Sequence, residues 1–210
     1  MLNIYLTRHG ETQWNKEKRL QGSKDSKLTD MGISNAIALG ERLSNIEFNA
    51  IYSSPIERAY QTARYIKSDK KIPIYTLDNL KEINFGDWEG KTQEEIENIE
   101  IYKNEYKNFW EKPHIYDHTP HKGEGLAVFK QRVENVLRKI SSDNNNGNIL
   151  IVTHGAVIKA ILSFTMNIST EKMWDPPFIH GASLTNFIWD GEHFNFKMIG
   201  DTSHFLDELK

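Results

Sequence analysis

Leu6-Thr7-Arg8-His9-Gly10-Glu11-Thr12-Gln13-Trp14-Asn15 joins a short apolar strand to a turn that carries Arg, His, Gly, Thr and Asn. Asn3 to Leu6 reads as a buried strand, and Gly10 punctuates its end. Arg8 and His9 therefore emerge at a strand's carboxyl end, where open α/β sheets place their ligands. A phosphate there would be held by guanidinium and backbone N–H groups, with an imidazole nitrogen facing phosphorus. An isolated Arg-His-Gly also describes a plain strand cap, so the rest of the chain must supply the partners of such a site.

The same form recurs twice. Ala50 to Ser53 is a short strand, and Ser54-Pro55 reads as N-cap and first helical position of a helix with Ile56, Ala59, Tyr60, Ala63 and Ile66 on its buried face. Arg58 falls on the first turn of that helix, where a cation opposes the helix dipole and a bound anion would favour it; pairing with Glu57 or Gln61 is the alternative. Ile149-Leu150-Ile151-Val152 is a continuous apolar run typical of a central parallel strand, followed at once by His154-Gly155 and a helical pattern. Ile72 to Leu77 reads as a strand near a sheet edge because of Pro73. Leu184 to Asp190 and His193 to Ile199, around Gly191, read as a closing hairpin. Right-handed crossovers bring the parallel strand ends to one edge. The expected fold is α/β, a three-layer α/β/α sandwich whose central sheet is mostly parallel with an antiparallel strand near the C-terminus.

The chain has 210 residues, 38% of them hydrophobic, which suits one domain spanning 1–210. A formal charge of −3 argues against nucleic acid and membrane surfaces as partners. Without cysteine there is no disulfide framework or thiolate metal site, and the start MLNIYLTRHG has no basic leader, so a cytoplasmic protein is expected. Thr29 should cap the first long helix, with Leu28 and Ile33 as a staple. Leu80 to Gly90 contains Glu82, Asp87 and Glu89, and periodicity does not choose among them. Residues 91–124 are the least regular part: a short helix after Thr92, another over Ile101 to Trp110, then a loop. This segment is read as a lid. His114, His118 and His121, with Asp117 nearby, invite a metal site, but their spacing matches no strong ligand pattern and solvated histidines are the better reading.

Arg8-His9-Gly10-Glu11-Thr12 followed by Asn15 resembles the signature of the histidine phosphatase superfamily, the branch that holds cofactor-dependent phosphoglycerate mutases and small phosphomonoesterases. The resemblance runs in order across nearly the whole chain. It implies a catalytic set of His9, Arg8, Arg58, Glu82 and His154, with Glu82 as the proton donor in its Leu-x-Glu, Gly, Trp-Glu-Gly context. It also implies substrate contacts from Thr12, Asn15, Gln21, Gly22 and Gly155, and no metal or other cofactor. Gly123-Glu124-Gly125 departs from the family's Gly-Glu-Ser, so Glu124 is left outside the site. His204 and Phe205 resemble a C-terminal feature with a packing role.

The expected reaction has neutral His9 attacking phosphorus, Glu82 protonating the leaving oxygen, and His154, in its protonated form, stabilising the equatorial oxygens. Phe85 and Trp88 would raise the Glu82 pKa. The partner is a small phosphorylated metabolite, and a homodimer is allowed. A phosphomonoesterase is preferred to a phosphoglycerate mutase because only residues 83 to 153 separate the acid from the second histidine. A binding protein on a dead phosphatase fold is disfavoured because no member of the set is missing.

Overall fold

The computed structural model describes residues 1–205. In chain order the regular elements are β1 (Leu2–Arg8), α1 (Gln13–Lys16), α2 (Asp30–Arg42), β2 (Ala50–Ser53), α3 (Glu57–Lys67), β3 (Ile74–Thr76), α4 (Gln93–Glu97), α5 (Glu100–Glu111), α6 (Leu126–Asp143), β4 (Gly147–Thr153), α7 (Gly155–Thr165), β5 (Leu184–Trp189) and β6 (Phe194–Asp201). The strands form one sheet in the order β3-β2-β4-β1-β5-β6. Pairings among β1 to β4 are parallel, and β5 and β6 are antiparallel to their neighbours.

Side-chain alternation makes the three layers. Ile4, Leu6, Ile149 and Ile151 face one side and pack with Val133, Leu137, Val157 and Ile161 of α6 and α7. Leu150, Val152 and Ile51 face the other and pack with Ala36, Leu39, Ala59 and Ala63 of α2 and α3. β4 is apolar throughout because both of its faces are covered. Thr29 caps α2 by accepting from the Gly32 N–H, and Thr92 caps α4 in a capping box with Glu95, as expected from their spacing.

Register then places the chemistry. Arg8 pairs with Thr153, and the His9 N–H continues the ladder to the Thr153 carbonyl at 2.9 Å. His9 and His154 are thus the first residues beyond two adjacent parallel strands. The Ser54 N–H extends β2 to the Val152 carbonyl at 3.0 Å, so a serine leaves the third strand end beside them. The helix after it starts later than its Ser-Pro signal suggests: Ile56 is the N-cap and α3 begins at Glu57. The Ser54 hydroxyl accepts from the Ile56 N–H in the intervening turn and reaches His154 instead of capping a helix.

Candidate active site

His9 is 2% exposed, and its two ring nitrogens have unlike partners. Nδ1 lies 2.8 Å from the Gly10 carbonyl, which can only accept, so Nδ1 carries the proton. Nε2 lies 3.2 Å from Nε of Arg58, which can only donate, so Nε2 presents its lone pair. Burial, then the charges of Arg58 and Arg8, hold the imidazole pKa well below 6.5. The result is a neutral imidazole whose Nε2 electron pair accepts from Arg58, beside the second guanidinium group.

His154 is fully enclosed one layer below, its ring 5.2 Å from that of His9. Its Nε2 is 2.8 Å from the Ser54 hydroxyl, and Nδ1 has no protein partner. The expectation of a protonated ring fails here. Burial, followed by Arg58, His9 and Arg8, pushes the His154 pKa well below its ordinary value, so the ring is neutral. Only an arriving anion can offset two arginines at this position.

The arginines differ in how they are held. Arg8 donates through Nη1 to the Ile179 carbonyl at 2.9 Å, while its buried Nε has no partner. Arg58 does not pair with Glu57 or Gln61, which bond each other. It turns inward, 2% exposed, and donates through Nη1 to the Lys24 carbonyl (2.7 Å) and Asp25 Oδ1 (3.0 Å), and through Nη2 to the Gly22 carbonyl (2.8 Å). Arg58 therefore fastens the 22–25 loop as well as facing the site.

The three carboxylates after Leu80 separate clearly in space. Glu82 is set into the cavity wall, with Oε1 accepting from the Ile83 N–H at 3.0 Å and Oε2 from the Ala156 N–H of α7 at 3.1 Å. Burial outweighs those bonds and the nearby arginines and raises its carboxyl pKa above 4.5. Asp87 lies outside, bonded to Tyr102 and near Lys122. Glu89 is buried and accepts from the backbone N–H groups of Ser23, Lys24 and Phe85, joining the 22–25 loop to the Glu82 segment. Gly22 is needed there: its φ is +57°, and a Cβ would overlap the Glu89 carboxylate.

A cavity of about 200 Å³ opens over this group. Arg8, His9, Arg58 and Glu82 line it, as do Asn15, Gln21, Gly22 and Gly155. Thr12 does not. It is fully buried, caps α1, bonds Asn15 Oδ1 at 3.0 Å and accepts from Gln21 Nε2 at 2.8 Å, so it orients two lining residues. Phe85 lines the cavity, but Trp88 is turned into the core against His121, ring to ring at 3.6 Å.

That contact also corrects the reading of the histidine-rich loop. His121 is fully buried and bonded to the Phe85 carbonyl and the Tyr116 hydroxyl, each at 2.8 Å, so it is a core histidine and not a solvated one. Among the described residues no group of three or more His, Asp or Glu side chains is placed to hold a metal ion.

The remaining lining residues carried no local signal. Trp110, Trp174, Phe178 and Ile179 form an apolar wall, with Arg19 and Lys159 beside it. Both cations already have protein acceptors: Arg19 bonds Glu17, Glu95 and the Gly90 carbonyl, and Lys159 bonds the Trp174 and Pro176 carbonyls. Lys159 and Arg8 thereby hold the 174–179 strap over the cavity. His204 donates through Nε2 to the Ala182 carbonyl and accepts from Arg42 at Nδ1, in keeping with a packing role.

Comparison with known proteins gives a consistent picture. The family model described as "Histidine phosphatase superfamily (branch 1)" matches residues 4–202. The solved structure of Bacillus stearothermophilus YhfR superposes with a TM-score of 0.93 at 39% identity, covering 98% of this chain and all of that one. The adenosylcobalamin/alpha-ribazole phosphatase of Escherichia coli (strain K12) is 33% identical over 178 residues, 82% of this chain and 83% of that protein. The probable phosphoglycerate mutase GpmB of Proteus mirabilis (strain HI4320) is 30% identical over 215 aligned positions, 99% of this chain and 96% of that protein.

Proposed function

The chain belongs to the histidine phosphatase superfamily, branch 1, and from that premise we propose that it is a metal-independent phosphomonoesterase working through a phosphohistidine. The observation that carries the reading is the fixed tautomer of His9. Its Nε2 accepts from Arg58 at a cavity that Arg8, His9 and Arg58 line together, and the Glu82 carboxyl, its pKa raised by burial, lines the same cavity. In the first step Nε2 attacks phosphorus, the P–O ester bond breaks, and the Glu82 proton passes to the departing alcohol oxygen. In the second, the Glu82 carboxylate takes a proton from water, the oxygen attacks phosphorus, and the P–N bond breaks to release phosphate. Arg8, Arg58 and the first N–H groups of α7 supply the positive field for the transferred group. His154, its pKa lowered by burial and the arginines, packs behind His9 and bonds Ser54.

Hydrolysis is favoured over a mutase reaction by the wall opposite His9. A phosphoglycerate carries a carboxylate and must be held for return of the phosphoryl group, yet Arg19 and Lys159 already bond protein acceptors and the rest of the wall is apolar. The wall suits a small phosphorylated metabolite with a flat apolar body. Residues 91–124 contribute Trp110 to it, which supports their reading as a lid within one catalytic unit.

The test incubates the protein and His9→Ala with a phosphomonoester panel and with 3-phosphoglycerate, with and without chelator, while trapping radiolabelled phosphoenzyme. Phosphate release that survives chelator, with an acid-labile phosphoenzyme absent from His9→Ala, is expected. Faster formation of 2-phosphoglycerate than of phosphate would make the protein a mutase. A strict requirement for added metal would overturn the mechanism.

A further inference from the structure

Arg132, on α6, does not line the cavity, yet it holds the segment that carries Glu82. Its Nε donates to Glu124 Oε1 at 2.6 Å, and Nη2 donates to Glu124 Oε2 at 2.9 Å and to the Glu82 carbonyl at 3.0 Å. Nη1 donates to the carbonyls of Asn79 and Lys81, both at 2.9 Å. These contacts use all five donors of one guanidinium. The acceptors are available because the 3₁₀ turn Asp78–Leu80 ends there, leaving terminal carbonyls without backbone partners.

Two further anchors complete the arrangement. The Leu80 carbonyl accepts from the Thr153 hydroxyl at 2.7 Å, beside His154. Glu124 grips the far side, its N–H donating to the Asn84 carbonyl at 2.7 Å and its Oε2 accepting from the Asn84 N–H at 3.2 Å. The backbone is therefore pinned before, at and after Glu82, and the ion pair that pins it is largely buried, with side-chain exposures of 19% and 15%.

We propose that Arg132, braced by Glu124, is the positioning residue for the proton-donating carboxyl of Glu82. The inference rests on the reading of Glu82 as general acid. A proton donor works only within hydrogen-bond reach of the leaving oxygen, so a small drift of this segment weakens protonation without touching the nucleophile. Lysine cannot replace the arginine, since it has three donors and no planar fork. The Gly-Glu-Gly departure leaves α6 without a side-chain cap at Gly125, while the Glu124 carboxylate serves Arg132 and the Asn84 backbone.

The test is leaving-group dependence. Arg132→Lys, Glu124→Gln and Glu82→Gln are compared with the unaltered protein on dinitrophenyl, nitrophenyl, phenyl and alkyl phosphates, with folding checked by circular dichroism. For Arg132→Lys, kcat/KM on alkyl phosphates should fall about 10- to 100-fold, inside the range a general acid contributes. On dinitrophenyl phosphate, which departs without a proton, it should stay within about threefold. Glu124→Gln should show the same slope more weakly and keeps the proposal testable if Arg132→Lys fails to fold. A uniform fall across the series for both clamp variants, beside a steep dependence for Glu82→Gln, would overturn the positioning role alone. A flat response of Glu82→Gln would overturn the general-acid reading and the proposal with it.

Discussion

Two walls of one cavity are built in opposite ways. On one side Arg8 and His9 line the cavity from the end of β1, with His154 and Ser54 buried behind them at the ends of β4 and β2, so their spacing follows from β-ladder register and is as rigid as the sheet. On the other, Trp110, Trp174 and Phe178 come from α5 and from the strap before β5, held by long contacts such as Lys159 to the Trp174 carbonyl and Trp174 Nε1 to the Phe109 carbonyl. In the proposed reading the rigid wall carries the groups that act on the phosphoryl group. The assembled wall carries apolar surface, which can change without disturbing the sheet. Reaction and substrate preference are thus separable in this molecule.

Substitutions can break or sharpen that division. Arg8→Met, on the rigid wall, should lower kcat/KM about 10²- to 10³-fold, the scale of losing a preorganised donor to the reacting group. The loss should be equal for large and small esters; a loss confined to one substrate size would erase the distinction. Asp25→Asn acts at the join, loosening Arg58 and the 22–25 loop it fastens. An approximately 10-fold fall in kcat is expected, as for small misplacements of a positioned group. Phe178→Ala should lower kcat/KM on naphthyl phosphate about threefold to tenfold and leave small alkyl phosphates unchanged, since one apolar contact discriminates weakly. Its melting temperature should not move, because the ring is 68% exposed.

The smallest effect is on stability against pH. Folding depresses the pKa of His9 and His154, so below about 6.5 the unfolded chain binds more protons and stability falls as pH falls toward the depressed values. Glu82 has the opposite sign: its raised pKa makes stability fall as pH rises from 4.5 through the folded value. Melting curves between about pH 7 and about pH 5 should show a slope that shrinks in His154→Gln. An unchanged slope would mean that His154 is already charged in the fold.

Much of the architecture was legible because its code is local. Alternating and continuous apolar runs marked β1, β2 and β4, proline placed β3 at the edge, and Thr29 and Thr92 capped the helices their spacing indicated. The helix after Ser54 was misplaced by two residues because a Ser-Pro pair reads as a cap in isolation, whereas the tertiary fold assigns that hydroxyl to His154. His121 was misread for a similar reason: a polar loop hid the aromatic residues that bury it.

By itself, then, the sequence determined the strand-turn placement of Arg8, His9 and His154, since a residue following a buried parallel strand has only one end of the sheet at which to emerge. Only the tertiary structure decided that the His154 pKa is depressed, that Arg58 is largely committed to the 22–25 loop, and that an aromatic wall stands opposite; among the three carboxylates the family resemblance had already singled out Glu82, and the fold places it at the cavity. Charge state and donor availability depend on burial and on partners 15 to 171 residues away. Periodicity reports a residue's neighbours along the chain, and these properties are set by its neighbours in space.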